Sequence, residues 1–530
     1  MFSTINFMKL VLGKVKKNMP ALNKTLLNGD FSFPPNLEVG PYPANLPERI
    51  LQFGEGNFLR AFVDWMIHEL NKKGLFQGRV VVVQPLARGL VDKLNQQDGL
   101  YTLILRGYQD GQMVEKRAII TSISRGINPY EDWQVVLRCA EDPQIDIVIS
   151  NTTEAGIIYD PGDSITAAPP RSFPGKLTAF LYHRYNYFQG DPNKGMLILP
   201  CELIDRNGDN LKAITLKLAG EWGLPGAFQQ WLKEANIFLN TLVDRVVPGY
   251  PREEAEQLAR ELGYKDDLLD TGELFHLWVI EGPTHLKEKL PFHAAGLNVI
   301  WTDDMTPYRT RKVRILNGAH TATAAVAFLS GIDTVREAVE HPRIGRFMEE
   351  LIYNEVIPAT DLDKGMLTEF AGEVLQRFRN PYIVHRWQSI LLNTTSKYKT
   401  RVQPSLLDYV AKKKAVPAKL TFSLAAMASL FKDGKTNGRQ FQGKRPQGEF
   451  IIEDDPEALA FWQAAWQQYK GTAESAREVA AYILGNSEVW GKELNSVPGL
   501  AKKLGVYLQE IVTGGMAAAL EKVLAEGEGA

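Results

Sequence analysis

The sequence predicts an α/β N-terminal domain with a doubly wound parallel sheet, followed by a mainly α-helical C-terminal domain. From residue 49 onward, short apolar segments alternate with helix-like segments, which is the pattern of a parallel sheet covered by helices. The run R-V-V-V-V-Q at 79–84 is typical of a strand buried on both faces. Beyond about residue 305 the strand-like runs give way to helical patterns with capping residues, such as Asp455 before Pro456.

The predicted elements of the first domain follow in regular order. Strands are predicted at residues 50–53, 79–84, 145–150 and 196–199. An amphipathic helix over 58–73 ends near Gly74, and residues 101–106 and 117–123 flank Asp110-Gly111, which indicates a hairpin. Doubly wound sheets bind ligands outside the carboxyl ends of their strands, so we expect the ligand there.

The second domain is predicted from helix caps and glycine stops. Helices are predicted at residues 334–340, 456–471, 474–484 and 500–512. The glycine-rich basic stretch at 432–447 interrupts this pattern and is interpreted as an exposed loop or lid.

Composition narrows the class of protein. The net charge of −2 gives no basis for nucleic-acid or membrane partners, and no run reaches the roughly 18 apolar residues of a spanning helix. The apolar patch at 7–12 is followed by lysines rather than preceded by them, unlike a signal peptide. Two cysteines, Cys139 and Cys201, are too few for a disulfide framework or a cysteine-rich zinc site. A cytoplasmic protein without a metal is predicted, and the oligomeric state stays open.

A pair of glycines follows the first predicted strand. Residues 50–62 read I-L-Q-F-G-E-G-N-F-L-R-A-F, so Gly54 and Gly56 match the first two glycines of G-x-G-x-x-G, while Leu59 replaces the third. Two interpretations are open: a turn that binds dinucleotide phosphates, or a tight turn that happens to contain two glycines. In the first, the cofactor-binding residues are Gln52, Phe53, Gly54, Glu55, Gly56, Asn57, Phe58, Leu59, Arg60, Ala61, Gln84 and Thr153.

The choice between NAD(H) and NADP(H) is less clear from the residues. The acid that usually binds the adenosine ribose is missing, because the second strand ends in Val83-Gln84-Pro85. Gln84 can bond a 2′-hydroxyl, whereas Arg88 nearby suits a 2′-phosphate, so NADP(H) stays an alternative. The domains are predicted as an N-terminal extension over 1–44, a Rossmann-like dinucleotide-binding domain over 45–303 and a helical substrate and catalytic domain over 304–530.

The densest polar cluster in an apolar setting contains Lys312, Asn317 and His320. At about 100° per residue of an α-helix, the three side chains project within roughly 140° of one another. A lysine, a carboxamide and an imidazole on one side of a helix suit a reaction at a carbonyl or carbinol. The structural alternative is a surface lysine, a capping asparagine and a core histidine.

Other polar residues suggest an anionic substrate. Arg377, His385 and Lys397, with Arg401, are candidates for a cationic rim, although a charged helical face explains them equally well. Asp244 lies inside an apolar run, so it is either functional or buried with a partner, for which Arg245 is available.

Several enzyme classes are disfavoured. The chain contains no H-E-x-x-H and no cysteine–histidine spacing for zinc, which disfavours a zinc-dependent alcohol dehydrogenase. The absence of G-x-x-x-x-G-K-[ST] disfavours a P-loop kinase, and the absence of G-x-S-x-G disfavours a hydrolase. Tyr308-x-x-x-Lys312 has the spacing of short-chain reductases, but Tyr409-x-x-x-Lys413 has it too, so the match occurs by chance.

Taken together and in this order, the motifs resemble the mannitol dehydrogenase family of zinc-independent, long-chain polyol and hexonate dehydrogenases. That family's G-x-G-N-F-x-R-A-[FH], V-D-R-x-x-P, K-x4-N-x2-H and R-F-x-N-P are matched at 54–62, 243–248, 312–320 and 377–381. The resemblance runs from about residue 45 to the C-terminus. It implies an NAD(H)-dependent dehydrogenase in which Lys312 is the general acid–base, Asn317 holds the substrate oxygen and His320 orients the sugar hydroxyls.

Within the family, strings such as S-N-T-T-E-A-G-I and P-C-E-L-I-D-R-N-G-D-N-L are most similar to members that reduce a hexuronate, which implies a sugar-acid substrate. Two departures from mannitol-type members matter. Cys201-Glu202-Leu203 stands where those enzymes have Cys-Asp-Asn, and Arg309 replaces a glutamate, which suits a carboxylate substrate. The alternatives are a fructuronate reductase, a polyol dehydrogenase acting on mannitol or a neutral ketose such as fructose, and an isomerase or epimerase that retains NAD.

Overall fold

The computed structural model describes residues 19–109, 111–153 and 156–526. The chain divides into two compact units, the first ending at Met305 and the second beginning at Thr306. Residues 1–18 lie outside the described residues. They include the apolar patch at 7–12, which was compared with a signal peptide above.

The first unit contains both strands and helices. In the described residues its strands are β1 (Leu37–Glu38), β2 (Glu48–Phe53), β3 (Arg79–Val83), β4 (Tyr101–Gln109), β5 (Gln112–Ile120), β6 (Ile123–Ile127), β7 (Ile147–Ser150), β8 (Leu197–Pro200), β9 (Ile237–Phe238), β10 (Asn240–Asp244), β11 (Asp270–Glu273), β12 (Leu277–Glu281) and β13 (Val299–Thr302). The α-helices are Lys24–Asn28, Asn57–Leu59, Trp65–Lys72, Val91–Gln96, Trp133–Glu141, Phe173–Tyr187, Asn207–Glu221, Gly226–Glu234 and Ala255–Leu262. A π-helical segment lies at Arg60–Asp64, and 3-10 turns lie at Pro192–Lys194, Thr284–Glu288 and Phe292–Ala295.

Six strands form the main sheet, in the order β6-β3-β2-β7-β8-β9, and all are parallel. The valine run of β3 shows why the sheet is covered on both faces. Val80 and Val82 belong to one hydrophobic cluster, whereas Val81 and Val83 belong to a second cluster on the opposite face. The predicted doubly wound, Rossmann-like α/β domain is therefore confirmed.

The strand order places a topological switch between β2 and β7. The chain runs outward from β2 through β3 to β6, then returns to β7 beside β2 and runs outward again to β9. In such sheets the crevice for ligands opens where the order reverses, at the carboxyl ends of the two central strands. A ligand site is therefore expected at the loops after β2 and β7.

A second sheet has the order β1-β5-β4-β11, and its central pair, β4 and β5, is the predicted hairpin. The predicted strand over 117–123 is wrong in its extent. Strand β5 ends at Ile120, and after Thr121-Ser122 the chain enters β6 of the main sheet. Part of the segment set apart as an N-terminal extension joins this sheet, because β1 pairs with β5 and Leu22 and Leu37 are buried. A third sheet has the order β10-β12-β13.

The second unit is mainly helical, as predicted. Its described α-helices are Thr306–Arg311, Gly318–Leu329, Val335–Glu340, Pro342–Glu350, Ile357–Ala359, Lys364–Phe378, Trp387–Ile390, Thr394–Arg401, Gln403–Lys413, Ala418–Leu430, Pro456–Gln467, Ala473–Gly485, Ser487–Trp490 and Leu500–Ala525. Two π-helical segments interrupt them, at Lys312–Asn317 and Leu351–Val356.

The interpretation of 432–447 as a loop or lid is wrong. This stretch forms most of an antiparallel sheet of β14 (Lys435–Asn437), β15 (Gln440–Arg445) and β16 (Gly448–Glu453). Phe441, Phe450 and Ile452 are buried on one face of the sheet, which explains why a segment rich in glycine and lysine folds as strands.

Across the described part of the chain, no helix has the length and apolar character that crossing a membrane would require.

Candidate active site

The turn after β2 is shaped by two glycines in different ways. Gly54 has a φ of +122°, and a Cβ there would lie 2.7 Å from the carbonyl oxygen of Asn151, in the loop after β7. Gly56 has an ordinary φ of −67°, and a Cβ there would meet no described atom within 4 Å. Gly54 is thus required by the protein itself, whereas Gly56 leaves open space at the start of the following helix.

That helix runs without interruption from Asn57 to Lys72, but its second turn, Arg60–Asp64, is π-helical. Leu59, which replaces the usual third glycine, is buried, and its Cδ1 approaches the position of a Gly54 Cβ to 3.2 Å. In the usual fingerprint, the third glycine lets the helix pack closely on the strand. Here Gly54, on the strand side, leaves the space that the Leu59 side chain occupies. Four other residues predicted for this turn are buried: Gln52, Phe53, Arg60 and Ala61.

Arg60 is committed to the interior beneath the turn. Its guanidinium donates to the backbone oxygen of Glu55 and to Oδ1 of Asn57, and it pairs with Asp270 at 3.5 Å. The Tyr101 hydroxyl donates to the backbone oxygen of Arg60 at 2.6 Å. These contacts give Arg60 a part in holding the turn in shape. Phe58 stacks on Phe62 with 5.0 Å between ring centroids.

Gln84 lies at the end of β3, where the ribose-binding acid of related turns is found. Its Nε2 donates to the Leu86 oxygen at 2.8 Å, and its Oε1 accepts from the Val91 amide at 3.5 Å. A Cβ on Gly89 would collide with both Gln84 and Glu55, so the loop packs closely on these side chains. Burial raises the pKa of Glu55 above its ordinary value.

The loops after β7 and β8 are joined by Glu202, which the sequence analysis did not identify as a site residue. Its buried carboxylate accepts from the Ser150 hydroxyl at 3.0 Å and from the amide and hydroxyl of Thr152 at 3.0 and 2.9 Å. Burial raises its pKa. The signal that could have identified it is an acid directly after the apolar strand L-I-L-P-C. The residues that follow these two contacts point outward. Thr153, after Thr152, is exposed and has a φ of +80°, and Leu203, after Glu202, is 62% exposed.

In the second unit, Lys312 and Asn317 are joined by a π turn. The Gly318 amide donates to the Val313 oxygen five residues back, which is the π pattern. Residues five apart are one π turn apart, so Lys312 and Asn317 lie on the same face more closely than an α-helix would place them. His320 follows three residues later in the helix Gly318–Leu329.

Gly318 also admits a neighbouring helix. A Cβ there would lie 3.2 Å from the Arg401 backbone oxygen, at the end of helix Thr394–Arg401. The glycine in N-G-A-H therefore allows this basic helix to approach the Lys312–His320 segment.

His320 is buried among aromatic rings. It stacks on Phe378 with 4.2 Å between centroids and meets His385 edge-on at 5.0 Å and Trp387 at 6.2 Å. Its Nε2 has no hydrogen-bond partner among the described residues. Burial lowers the pKa of His320 well below its ordinary value, and the neighbouring cations lower it further. The ring is therefore neutral, with one nitrogen available to a ligand.

The cations that act on His320 are the ones predicted to form a rim. They are, in order of effect, His385, Arg377, Arg401 and Lys397. Burial, and then Lys397, lower the pKa of His385 as well, so the two arginines and Lys397 carry the positive charge. They come from the end of helix Lys364–Phe378, the loop after it and helix Thr394–Arg401. All are partly buried, and Lys397 donates to the Ile390 oxygen at 3.0 Å. The second unit thus concentrates positive charge around one neutral histidine.

Two other predicted residues, Arg309 and Asp244, are not among the charged groups that act on His320. Arg309 is exposed on the short helix Thr306–Arg311, one turn before Lys312. Asp244 is buried at the end of β10. The neighbouring Arg245 donates to the backbone oxygens of Ala61, Glu273 and Leu274. Arg245 is thus anchored to the backbone around β11.

Both units match known families. The model of the mannitol dehydrogenase Rossmann domain matches residues 48–293, and that of the mannitol dehydrogenase C-terminal domain matches residues 304–512. An altronate oxidoreductase of Bacillus subtilis is 46% identical over 492 residues, covering 93% of this chain and 98% of that protein. An altronate oxidoreductase of Klebsiella pneumoniae is 46% identical over 479 residues, covering 90% and 97%.

Solved structures show the same fold at lower identity. The Pseudomonas fluorescens mannitol 2-dehydrogenase, in a ternary complex with NAD and D-mannitol, has a TM-score of 0.70 and 22% identity, covering 96% of this chain and all of that one. A substrate-free D-sorbitol dehydrogenase has a TM-score of 0.75 and 21% identity, covering 94% and 100%. On the family models and the close relatives, the chain belongs to the mannitol dehydrogenase family and is a dehydrogenase that acts on CH–OH groups.

Proposed function

We propose that the protein is an NAD(H)-dependent reductase that interconverts D-tagaturonate and D-altronate in hexuronate breakdown. The observation that carries this proposal is the positive charge of Arg377, Arg401 and Lys397 around His320. His320 itself belongs to the segment that bears Lys312 and Asn317. A hexuronate carries a carboxylate that these cations can bind, whereas mannitol and fructose carry none. The 46% identity to altronate oxidoreductases over nine-tenths of the chain supports the same substrate class.

The first unit supports the cofactor assignment. The start of the helix at Asn57 offers backbone N–H groups, and the open space at Gly56 admits a diphosphate close to them. NAD(H) supplies a hydride to the keto carbon in one direction and accepts it in the other. Gly54, Gly56, Asn57 and Thr153 are the residues of the turn and crevice that we propose to face the cofactor.

Lys312 is proposed as the acid–base. Its ammonium gives a proton to the oxygen that becomes the hydroxyl during reduction and takes it back during oxidation. Asn317, one π turn away, donates its amide N–H to the same oxygen and stabilises its negative charge. The neutral His320 orients a sugar hydroxyl through its available ring nitrogen.

The substrate carboxylate is proposed to bind among Arg377, His385 and Lys397. These three side chains are only partly buried. Arg377 and Lys397 supply the positive charge, and a bound carboxylate offsets the repulsion between them. Arg309 and Asp244 are proposed as further substrate contacts.

The test is an assay of the purified protein with NADH or NADPH against D-tagaturonate, D-fructuronate and D-fructose. We expect NADH oxidation to be fastest with D-tagaturonate and to be lost in Lys312→Met. The matched control, Lys444→Met, removes a lysine whose side chain is 79% exposed and should keep the rate. Faster turnover of fructuronate or fructose contradicts the substrate. Conversion of sugar without net NADH consumption shows the NAD-retaining isomerase instead.

A further inference from the structure

A buried polar cluster lies beneath the glycine turn. Gln52 and Asp64 are both fully buried. The Nε2 of Gln52 donates to the Gly54 oxygen at 3.0 Å and to Oδ2 of Asp64 at 3.1 Å. One carboxamide thus connects an interior carboxyl group to the first glycine of the turn.

The charges of this cluster do not balance if every acid is ionised. One buried guanidinium, that of Arg60, faces two buried carboxyl groups, Asp64 and Asp270, and its ion pair at 3.5 Å is with Asp270. Asp270 also accepts from the Thr271 amide at 2.9 Å. An uncompensated buried carboxylate is costly, so Asp64 is the group that should hold a proton.

The other titratable groups around Asp64 do not supply a positive charge. The neutral Tyr101 hydroxyl donates to the backbone oxygen of Arg60. Burial, with a smaller contribution from the buried acid Asp266, raises the pKa of Asp270 to about 7, and its ion pair with Arg60 opposes that shift. Ser122 donates to the backbone oxygen of Asp64, which leaves the carboxyl group unchanged.

The hydrogen bonds point the same way. Among the described residues, Oε1 of Gln52 and Oδ1 of Asp64 are buried acceptors without a donor. An ionised Asp64 can only accept, so it cannot satisfy the Gln52 oxygen. A proton on Oδ1 would satisfy both atoms at once, because the acid then donates to the amide that already donates to it.

We propose that Asp64 is a neutral carboxylic acid that donates to Gln52 Oε1, and that this acid–amide pair positions Gly54 for cofactor binding. Asp64 is thus a positioning residue, and this second part rests on the proposed use of NAD(H). Burial, with a contribution from Asp270, raises the pKa of Asp64 to about 7. Above that pH the ionised acid repels the Gln52 oxygen, and the turn loses its support.

The cofactor test compares two matched substitutions, Asp64→Asn and Asp270→Asn, by titrating NADH fluorescence from pH 6 to pH 9. An asparagine at 64 keeps the donor and acceptor of the neutral acid, so its NADH affinity should stay constant across the range. The wild-type affinity should fall by about fivefold or more, since the protonated fraction falls about tenfold per pH unit above the pKa. Asp270→Asn, which deprives Arg60 of its partner, should weaken binding at every pH. Parallel profiles for wild type and Asp64→Asn would overturn the positioning role, because a merely structural acid gives no pH difference.

A second measurement needs no cofactor. An acid whose folded pKa is raised stabilises most below its unfolded value, and that stability is lost as the pH rises through the folded pKa. The Tm of Asp64→Asn should therefore exceed that of wild type by a margin that grows between pH 5 and pH 8, to about 1–3 °C. An Asp64→Asn protein that is less stable than wild type at every pH overturns the neutral acid.

The proton itself has an infrared signature. The difference spectrum between wild type and Asp64→Asn at pH 6 should contain the carbonyl stretch of a protonated carboxylic acid, and its absence overturns the proposal. These cofactor-free measurements remain decisive if NADH does not bind, in which case only the proposed function fails.

Discussion

A Cβ placed on Gly54 would lie 2.7 Å from the carbonyl oxygen of Asn151, so the loops after the two central strands of the main sheet touch at this glycine. Gly56, two residues on, has no such neighbour among the described residues. The two glycines of one turn therefore serve different ends, one inside the protein and one at its surface.

Alanine at the two glycines should separate these roles. Gly54→Ala adds a clash at a φ of +122° and should lower stability by about 1–3 kcal/mol, with loss of NADH binding. Gly56→Ala should leave the Tm of the cofactor-free protein within about 2 °C of wild type, because an exposed change away from strain costs little. It should still weaken NADH binding at least tenfold. Calorimetry of both variants, with and without NADH, checks this, and normal NADH affinity in Gly56→Ala would refute the proposed diphosphate site at Gly56.

The buried His320 should make no contribution to the acid limb of the pH–rate profile. Its pKa lies well below the ordinary value, so the folded protein keeps it neutral while the unfolded chain protonates it below about pH 6.5. Its contribution to stability is therefore lost as the pH falls below that value. His320→Gln should lower kcat/KM, keep the shape of the profile and reduce the loss of Tm between pH 7 and pH 5. Disappearance of the acid limb in this variant would show that His320 titrates during turnover.

Removing one cation of the rim should affect charged substrates selectively. Arg377→Gln should raise KM for D-tagaturonate about tenfold or more, the value of one charge-assisted hydrogen bond of about 1.4 kcal/mol or more. KM for a neutral ketose should not rise. The matched control is Arg379→Gln, two residues on, where the arginine pairs with Glu349 at 3.3 Å and is not among the cations that act on His320. Equal effects of the two substitutions would contradict the proposed carboxylate site.

Arg309 offers an independent test of uronate selectivity. Charge reversal in Arg309→Glu should raise KM for D-tagaturonate far more than KM for an uncharged ketose, because the new carboxylate repels the substrate's own. Arg309 is exposed on its helix, so the fold should tolerate the change, which the Tm will show. The same rise in KM for both substrates would contradict a role of Arg309 in selecting a uronate.

The main sheet was predictable because its strands are short, β-branched and buried on both faces, as the run 79–84 illustrates. The break after Ile120 was not, because residues 117–123 read as one β-rich segment although Ile120 and Ile123, separated by Thr121-Ser122, belong to two sheets. Strand β15 was hidden for the opposite reason, since its alternation places a glycine, Gly443, at one of the buried positions.

Site geometry was less accessible than site chemistry. The motif indicated Lys312, Asn317 and His320, but a periodicity of 3.6 residues cannot represent a π turn. The rim residues could be named from local clusters of basic residues in the sequence, while their convergence on His320 depends on how the helices pack in the second unit. Glu202 carries no motif and is recognisable only from the three donors around it.

Strand β1 is only two residues long, and it covers the outer edge of the nine-residue strand β5 at Arg117 and Ala118. Without it, a row of unpaired amide and carbonyl groups would face solvent, which is a template for pairing with another chain. We therefore expect the segment from Leu22 to Glu38 to hinder edge-to-edge pairing with another chain at these two residues as well as completing the sheet. A shortened chain that begins at β2 should therefore aggregate more readily than the full chain, even where its catalytic activity is retained.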